Sequence, residues 1–515
     1  MAENFLRQAL ERREFVCSAE LVLGRDHTAR DAEVFVREAG ARPKGVRVIS
    51  LTDLPGGNPA LPPEAFASYV LEHGLTPVAH ITGNDGNRSR IEGRLHTFAR
   101  LGVENVLALT GDVQRAGFQG RSKPVHDLDS VLILMLIQAL CNGLDYQLGA
   151  RHAQTTPFDF CAGAVVNPFK VREPDLMMQL YKMRLKIAAG ARFIITQVGF
   201  NLRKLYELKQ YMDREGLGHV PVLAGVYVPT ATIARMMQSG ELAGCVASDE
   251  FVRQIESEKK PQRLERAALM LAAVKDLGFA GAHIGGFGLT HGDIMTVLDR
   301  AAAIGAGWRA EMNRVMFPYP GEFYLLPPGA DGLSDGAGTY QAGRQPKRFW
   351  VAQRVSRALH RRFISPSTFT ARFLETRLRF PGSRWRAFWS GLLGLSSVYR
   401  RAALGCKNCG DCIQDHLTYV GCSMRWCHKE LRNGPCGGSR VDGTCEANPE
   451  LPCLWDLVYE ASLALGEDPS RFARLLIPAR DWSLDGTNAL VNRFAGTDNF
   501  DKRVEADGRN GRGGG

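Results

Sequence analysis

Eight short apolar, β-branched runs recur along the first part of the chain, and each is followed by a segment with helical spacing. Runs of this kind are typical of buried strands in a parallel sheet. Eight strand and helix units in one domain predict an α/β fold, the (β/α)8 TIM barrel. A doubly wound sheet usually has fewer strands, and no G-x-G-x-x-G follows the first run. The runs are 15–21, 46–52, 76–82, 103–111, 158–166, 192–198, 220–228 and 280–286.

Length and composition predict one large domain with smaller modules after it. The chain has 515 residues, of which 45% are hydrophobic and 23% charged. We predict a barrel domain over 1–325, a basic, aromatic-containing helical linker over 326–404, a small cysteine-rich metal-binding domain over 405–500 and a disordered tail over 501–515. The longest apolar run, 131–140, is shorter than the roughly 20 residues of a membrane span. With no secretion signal visible, we expect a cytoplasmic protein with no membrane partner.

Eight of the twelve cysteines lie between 406 and 453, and this density predicts metal. Two stacked Cys-x-x-Cys steps bring three thiolates round one centre, and tetrahedral zinc or a four-iron cluster needs four ligands. Eight cysteines can fill two such sites. A disulfide-stapled module is the alternative, but a chain of this size does not need staples. Iron–sulfur and zinc both stay open. The candidate ligands are Cys406, Cys409, Cys412, Cys422, Cys427, Cys436, Cys445 and Cys453.

The net charge of +10 is local. From 341 to 404 there are 14 Lys and Arg against one acid, Glu375, so this window carries +13 and the rest of the chain −3. Such a stretch fits a nucleic-acid surface, a membrane-surface helix, a dock for an acidic protein, or a solvated helical face. We do not expect nucleic acid. The basic residues are interleaved with Phe349, Trp350, Phe380, Trp385 and Trp389.

A polar or charged residue stands at or just past the last apolar position of six of the runs. In a barrel the carboxyl ends of the strands meet at one rim, where barrel enzymes bind substrate and carry out chemistry. Each residue alone can also be a loop cap or a satisfied core group. Their convergence on one face favours a functional site. The six are Glu20, Thr52, His80, Asp112, Asn167 and Gln197.

Four motifs at these positions resemble the rim motifs of methylenetetrahydrofolate reductase, a flavin-dependent (β/α)8 enzyme. The resemblance spans roughly residues 15 to 305. It implies reduction of 5,10-methylenetetrahydrofolate to 5-methyltetrahydrofolate in one-carbon metabolism, with FAD as cofactor and a folate as substrate. The motifs are Ser18-Ala19-Glu20, Ala79-His80-Ile81-Thr82, Ala108-Leu109-Thr110-Gly111-Asp112 and Ile194-Ile195-Thr196-Gln197.

The resemblance also implies a role for each rim residue. Glu20 is the general acid, Asp112 lies beside the flavin and the folate, and Gln197 contacts the pterin. The flavin is held by Thr52, His80, Gly111, Asp112 and Lys186. Where the family has Arg-Gly-Asp this chain has Thr110-Gly111-Asp112, and an arginine expected after the eighth strand is His291. The helix expected to carry Asp, Asn, Arg and Lys carries Gln179, Lys182, Leu185 and Lys186.

These residue types suit the reaction. Opening the five-membered ring of the substrate needs a proton on the departing nitrogen, and a carboxyl partly buried at the rim can have its pKa raised enough to deliver it. An ionised Asp112 would stabilise the cation that forms. The same rim could oxidise methyltetrahydrofolate in methyl catabolism. A barrel without activity could instead serve as an electron-transfer or scaffold subunit.

The cysteine-rich part resembles the separate cysteine-rich partner subunit of acetogen-type reductases, here fused to the barrel. The resemblance lies in Leu431-Arg432-Asn433-Gly434-Pro435-Cys436-Gly437-Gly438 and Arg480-Asp481-Trp482-Ser483-Leu484. We expect electrons from NAD(P)H or from a protein donor. The basic stretch could steer an acidic electron-transfer protein such as a ferredoxin or a flavodoxin. A homo-oligomer stays open.

Overall fold

Eight parallel strands close into a barrel in the computed structural model, which describes residues 3–42, 45–341, 351–379 and 384–506. Each strand pairs with the next one along the chain, and the eighth pairs with the first. The predicted TIM barrel is thereby confirmed. The strands are β1 (Val16–Leu21), β2 (Val48–Leu51), β3 (Thr76–Thr82), β4 (Asn105–Leu109), β5 (Cys161–Val166), β6 (Phe193–Thr196), β7 (Val222–Tyr227) and β8 (Gly281–Gly285).

Eleven helices belong to this part of the chain within the described ranges. Side-chain caps fix several starts: the Asp129 carboxylate accepts from the amides of Val131 and Leu132 at the start of α5. The helices are α1 (Phe5–Arg12), α2 (Asp26–Gly40), α3 (Pro63–Glu72), α4 (Arg88–Leu101), α5 (Ser130–Asn142), α6 (Glu173–Ala188), α7 (Leu202–Arg214), α8 (Ala231–Gln238), α9 (Asp249–Ser257), α10 (Lys260–Asp276) and α11 (His291–Ile304).

The barrel interior is apolar at its amino end and polar at its carboxyl end. Val16, Val48 and Phe193 pack inside the barrel, where Leu6 of α1 joins the same cluster. Side chains of a strand alternate between its two faces, so Ser18 and Glu20 face the same way as Val16. The inward face of β1 therefore changes from apolar Val16 through Ser18 to the acidic Glu20 at the rim.

After the barrel, the described parts of 351–404 are helical, whereas 405–453 is largely irregular and contains one short helix. Two small hairpins, Ala116–Gly117 with Gly120–Arg121 and Asp145–Leu148 with Arg151–Gln154, interrupt the barrel itself. No helix within the described residues is long and apolar enough to cross a membrane. The later helices are α12 (Val351–Leu359), continued by a π-helical turn (His360–Ile364), α13 (Phe369–Leu378), α14 (Arg384–Gly394), α15 (Ser396–Leu404), α16 (Ser423–Trp426), α17 (Leu454–Ala464) and α18 (Ala489–Ala495).

The C-terminal domain extends further than predicted. Residues 501–506, predicted as the start of a disordered tail, are folded: Val504–Glu505 pairs with Leu475–Leu476. Arg503 anchors the segment because its guanidinium donates to the Asp415 carboxylate at 2.6 Å. Residues 507–515 of the predicted tail lie outside the described residues, as do Phe349, Trp350 and Phe380.

Candidate active site at the barrel rim

Three polar groups form a connected chain between the barrel interior and the rim. Ser18 on β1 and His283 on β8 are direct neighbours in register. Ser18 Oγ lies 2.8 Å from His283 Nδ1, and His283 Nε2 lies 3.2 Å from Glu20 Oε2. Ser18 and His283 are buried, whereas 27% of the Glu20 side chain is exposed. We name Ser18, His283 and Glu20 the rim relay.

The rim relay sets the charge of Glu20. Burial raises the pKa of this carboxyl, but the hydrogen bond with His283 and the charges of His283 and His80 outweigh burial, so the pKa is lowered. This is opposite to the raised pKa that we expected for a proton donor. His80 Nε2 lies 2.7 Å from Ser50 Oγ, and burial lowers the pKa of His80 to about 4.

Asp112 follows β4 after a sharp turn. Gly111 has a φ of 89°, and a Cβ there would lie 2.5 Å from Asn84 Oδ1, so the turn requires glycine. Burial raises the pKa of Asp112, partly opposed by the charge of Lys429. Asp112 and Glu20 are both close enough to act on Cys245, whose pKa rises to about 12 through burial and then through these two carboxylates. The two predicted catalytic acids therefore both lie within electrostatic reach of the Cys245 thiol.

Three further predicted rim residues hold loops in place. Thr52 Oγ1 accepts from the Leu23 amide at 3.1 Å. Gln197 Oε1 accepts from the amide of the next residue, Val198, at 2.9 Å. Asn167 Nδ2 donates to the carbonyl of Gly244 at 2.7 Å. Each side chain lies at the carboxyl end of its strand, as predicted, and each fixes the backbone around the rim.

The C-terminal domain reaches this rim directly. Lys429 Nζ donates to the Gly111 carbonyl at 2.7 Å and forms an ion pair with Glu446. Both side chains of the pair are buried, with 3% and 6% of their surfaces exposed. Lys170, which follows β5, donates in turn to the Ser439 carbonyl at 2.7 Å. Sequence reasoning missed Lys429, because no motif or spacing marks a lone lysine as a contact to a distant rim.

Comparison with known proteins agrees with this geometry. Residues 6–283 match the family model described as Methylenetetrahydrofolate reductase, more than half of the chain. The chain belongs to the methylenetetrahydrofolate reductase family. Residues 390–483 match a second model, described as Methylene-tetrahydrofolate reductase C terminal. Both parts of the predicted resemblance are confirmed.

The solved structures to which this reductase-family chain is similar match it at low identity and with TM-scores of 0.40 or less. One is an uncharacterized protein from Clostridium thermocellum that binds two copies of 5-methyl-5,6,7,8-tetrahydrofolic acid, at 13% identity over 58% of this chain and 99% of the other, with a TM-score of 0.40. Another is a 2,3-dimethylmalate lyase, at 14% identity over 61% and 86%, with a TM-score of 0.32. A third is tryptophan synthase from Mycobacterium tuberculosis, at 12% identity over 58% and 97%, with a TM-score of 0.32.

Helix α6 of this family member does not fit the flavin contacts that the resemblance implied for it. Lys186 is buried and donates to the Val165 carbonyl at 2.5 Å, and burial lowers its pKa to about 7. Lys182 donates to the Gly434 carbonyl at 3.2 Å. A Cβ at Gly437 would lie 3.2 Å from Gln179 Oε1, so the C-terminal loop lies directly on this helix. At the rim, by contrast, the side chains of Glu20 and Asp112 are partly exposed, and His80 lies buried beside Ser50.

The eight clustered cysteines of the reductase-family chain divide into two groups. All twelve cysteines of the chain are free thiols, so no disulfide staples this domain. Burial, and to a smaller extent the charges of Cys412 and Cys422, raise the pKa of Cys409 to about 12. Burial also raises the pKa of Cys422 to about 11, with smaller contributions from Cys412 and Cys406. We name these four the outer cysteine group. The remaining four line one cavity and form the inner cysteine group, which comprises Cys427, Cys436, Cys445 and Cys453.

The inner cysteine group lies next to the rim. Cys436 Sγ donates to Glu446 Oε1 at 3.2 Å, and Glu446 pairs with Lys429. A short polar chain thus joins these cysteines to Gly111. Within the described residues, no three or more His, Cys, Asp or Glu side chains are arranged as ligands around one point. The metal ligands therefore remain a prediction.

Proposed function

We propose that this chain reduces 5,10-methylenetetrahydrofolate to 5-methyltetrahydrofolate as a flavin-dependent oxidoreductase. The observation that carries the proposal is the rim relay, which places a hydrogen-bonded carboxyl at the working rim of a barrel whose sequence matches the family. The reaction needs a proton for the departing ring nitrogen and a negative charge near the cation that follows. The rim holds one carboxyl suited to each task.

Glu20 would deliver the proton. In the free rim its pKa is lowered, so the proton needed for acid catalysis is not yet on this carboxyl. A bound folate would displace water from the exposed part of Glu20, and loss of water raises the pKa of a carboxyl. His283 would then hold the protonated acid in place through Nε2, while Ser18 fixes the other ring nitrogen. Binding of the substrate would thus convert Glu20 into a proton donor.

Asp112 would stabilise the cationic intermediate and contact both ligands, with Gln197 against the pterin. A negative charge in a partly desolvated rim acts more strongly than it would in water. Lys429 holds the Gly111 carbonyl, so the C-terminal domain would keep the Asp112 turn in position. The fused domain would in this way complete the folate site.

FAD held by Thr52, His80, Gly111 and Asp112 would supply the hydride. We do not include Lys186 among its ligands, because that ammonium already donates to a backbone carbonyl. Electrons would reach the site from NAD(P)H or from a protein donor. The two cysteine groups supply thiolates for an iron–sulfur cluster or zinc, the soft donors that both prefer.

The test is anaerobic turnover of methylenetetrahydrofolate by the full chain, with flavin, iron and zinc counted in the same preparation. We expect flavin to co-purify and Glu20→Gln to lower turnover by at least ~10²-fold, the lower range for a positioned acid. Glu11→Gln, an exposed acid on α1, is the matched control and should not change the rate. Absence of both folate binding and turnover in the wild type would refute the proposal.

A further inference from the structure

The basic helical region α12–α15 has no part in the proposed reaction, yet it exposes an unusual amount of hydrocarbon. On α14, the turn that follows it and the start of α15, four exposed apolar side chains recur at intervals of three or four residues, the spacing of neighbours on a helical surface. Each of them is between 48% and 67% exposed. We name them the apolar ridge; they are Phe388, Leu392, Leu395 and Val398.

The apolar ridge is not the packing face of its helix. Trp389 and Leu393, which lie on the neighbouring face of α14, pack against a core of Ala371, Leu378 and Phe494, and the Trp389 ring also contacts Phe388. The helix therefore already has a buried face inside the C-terminal domain. A second apolar face that points to water has no role in that packing and marks a contact surface.

Helix α12 adds a parallel feature. Val351, Val355, Leu359 and Phe363 recur every four residues, and each is close to half exposed. Ser356 Oγ lies 3.1 Å from Tyr399 Oη, so α12 lies beside α15. Two neighbouring helices of one small region thus each expose an apolar stripe.

The sequence of this region is rich in arginine and contains a single acid, although Glu467 of the C-terminal domain pairs with Arg357 of α12. Arg361, Arg362, Arg377 and Arg379 are exposed on α13 and the turn before it, and Glu375 is the single acid between 341 and 404. Apolar and aromatic side chains at helical spacing, flanked by arginine, are the composition of helices that lie in a membrane interface. Anionic headgroups attract such basic segments, and the apolar side chains enter the acyl boundary.

We propose that the outer face of α12–α15 binds the surface of an anionic lipid bilayer. Side chains that protrude singly from a helix need no matching pocket in a fluid bilayer, whereas a protein partner would have to offer one for each. An anionic bilayer also complements the net charge of this region, which is +13 between 341 and 404. The expectation of no membrane partner rested on the lack of a spanning run, and surface binding requires none.

The test is co-sedimentation of the full chain with vesicles of phosphatidylcholine, with and without phosphatidylglycerol. We expect binding only to the anionic vesicles, weakening as salt rises, because exposed charges are screened over about 8 Å at physiological ionic strength. Phe388→Ser with Leu395→Ser should lower the partition coefficient at least ~10-fold at every salt concentration, since apolar burial is not screened. Phe118→Ser, at an even more exposed aromatic on the Gly117–Gly120 turn, should change nothing.

Substitution of the exposed arginines tests the electrostatic part of the proposal independently. Arg361→Gln with Arg362→Gln should weaken binding at low salt only, whereas Arg90→Gln with Arg253→Gln removes two exposed charges elsewhere and should leave binding unchanged. Circular dichroism of each variant checks that the fold is kept. The proposal is overturned if the wild type does not bind anionic vesicles at low salt, or if the ridge variant binds them normally. It is equally overturned if the ridge instead mediates self-association or binds an acidic protein while vesicles are ignored.

Discussion

Lys429 Nζ donates a hydrogen bond of 2.7 Å to the carbonyl of Gly111, a residue 318 positions earlier in the chain. The lysine belongs to the cysteine-rich domain, and the carbonyl precedes Asp112 at the barrel rim. The two family modules are therefore in direct contact at the predicted folate site. Substitutions in one module should have effects that can be measured in the other.

Lys429→Met tests this junction. The variant leaves the Glu446 carboxylate buried and unpaired, and breaking a buried ion pair in this way costs about 3–5 kcal/mol. We expect a loss of that size in the free energy of unfolding by urea, together with weaker folate turnover. Arg235→Met breaks the exposed Arg235–Glu256 pair and is the control, with an expected cost of roughly 0–1 kcal/mol. Equal effects of the two substitutions would show that Lys429 is an ordinary surface lysine.

His283→Leu tests the rim relay. Removing the histidine removes the hydrogen bond and the charge that lower the pKa of Glu20, so burial should dominate and the pKa should rise. In the wild type the lowered pKa contributes stability that is present above the unfolded pKa and is lost as the pH falls through the folded one. The variant should lack this acid-side loss. Infrared titration of the Glu20 carboxyl measures the shift, and an unchanged titration would refute the relay.

Asp112→Asn should act in the opposite sense. The pKa of Asp112 is raised by burial, so the folded state gains stability from its protonated form below about pH 4, and this gain is lost as the pH rises through the folded pKa. The asparagine variant should lack that decline and be the more stable of the two at neutral pH. Folate turnover should nevertheless fall, because the stabilising charge is absent. Turnover equal to the wild type would assign Asp112 to the turn alone.

The cysteine groups make separable predictions. Cys409→Ser changes the outer cysteine group and Cys436→Ser the inner one, and each should reduce the metal content of the purified chain. Because metal binding and folding are coupled in small thiolate sites, both should loosen the C-terminal domain while the barrel keeps its own core. Cys141→Ser, on barrel helix α5, is the control and should retain all metal. Full metal content in both variants would contradict the prediction.

The barrel was predictable because its signal is local. Each strand lies within its predicted run, and the largest difference is at β4, where the run 103–111 contains a strand of only Asn105–Leu109. The positive φ of Gly111 ends that strand early, since the turn before Asp112 leaves the sheet. Sequence reasoning recognised the glycine and the acid but not the length of the turn.

The rim relay was only half predictable. Ser18 and Glu20 stood in a recognised motif, whereas His283 sits within an apolar run, where a histidine reads as a core residue. Its significance appears only when β8 pairs with β1 and brings His283 beside Ser18. The alternation of Ser18 and Glu20 on one face was a usable signal that a polar partner was needed there. Lys429 offered no such signal, because its contact depends on how two domains pack.

The rim relay also links chemistry to chain completion. Glu20 lies on the first barrel strand and His283 on the last, 263 residues later, and the two meet only where the barrel closes. During synthesis, Glu20 therefore leaves the ribosome long before His283, the residue that hydrogen-bonds to it. Until synthesis passes β8, the nascent chain carries a lone carboxylate and no relay. The proposed delivery of a proton by Glu20 would therefore depend on closure of the barrel, where β8 pairs with β1.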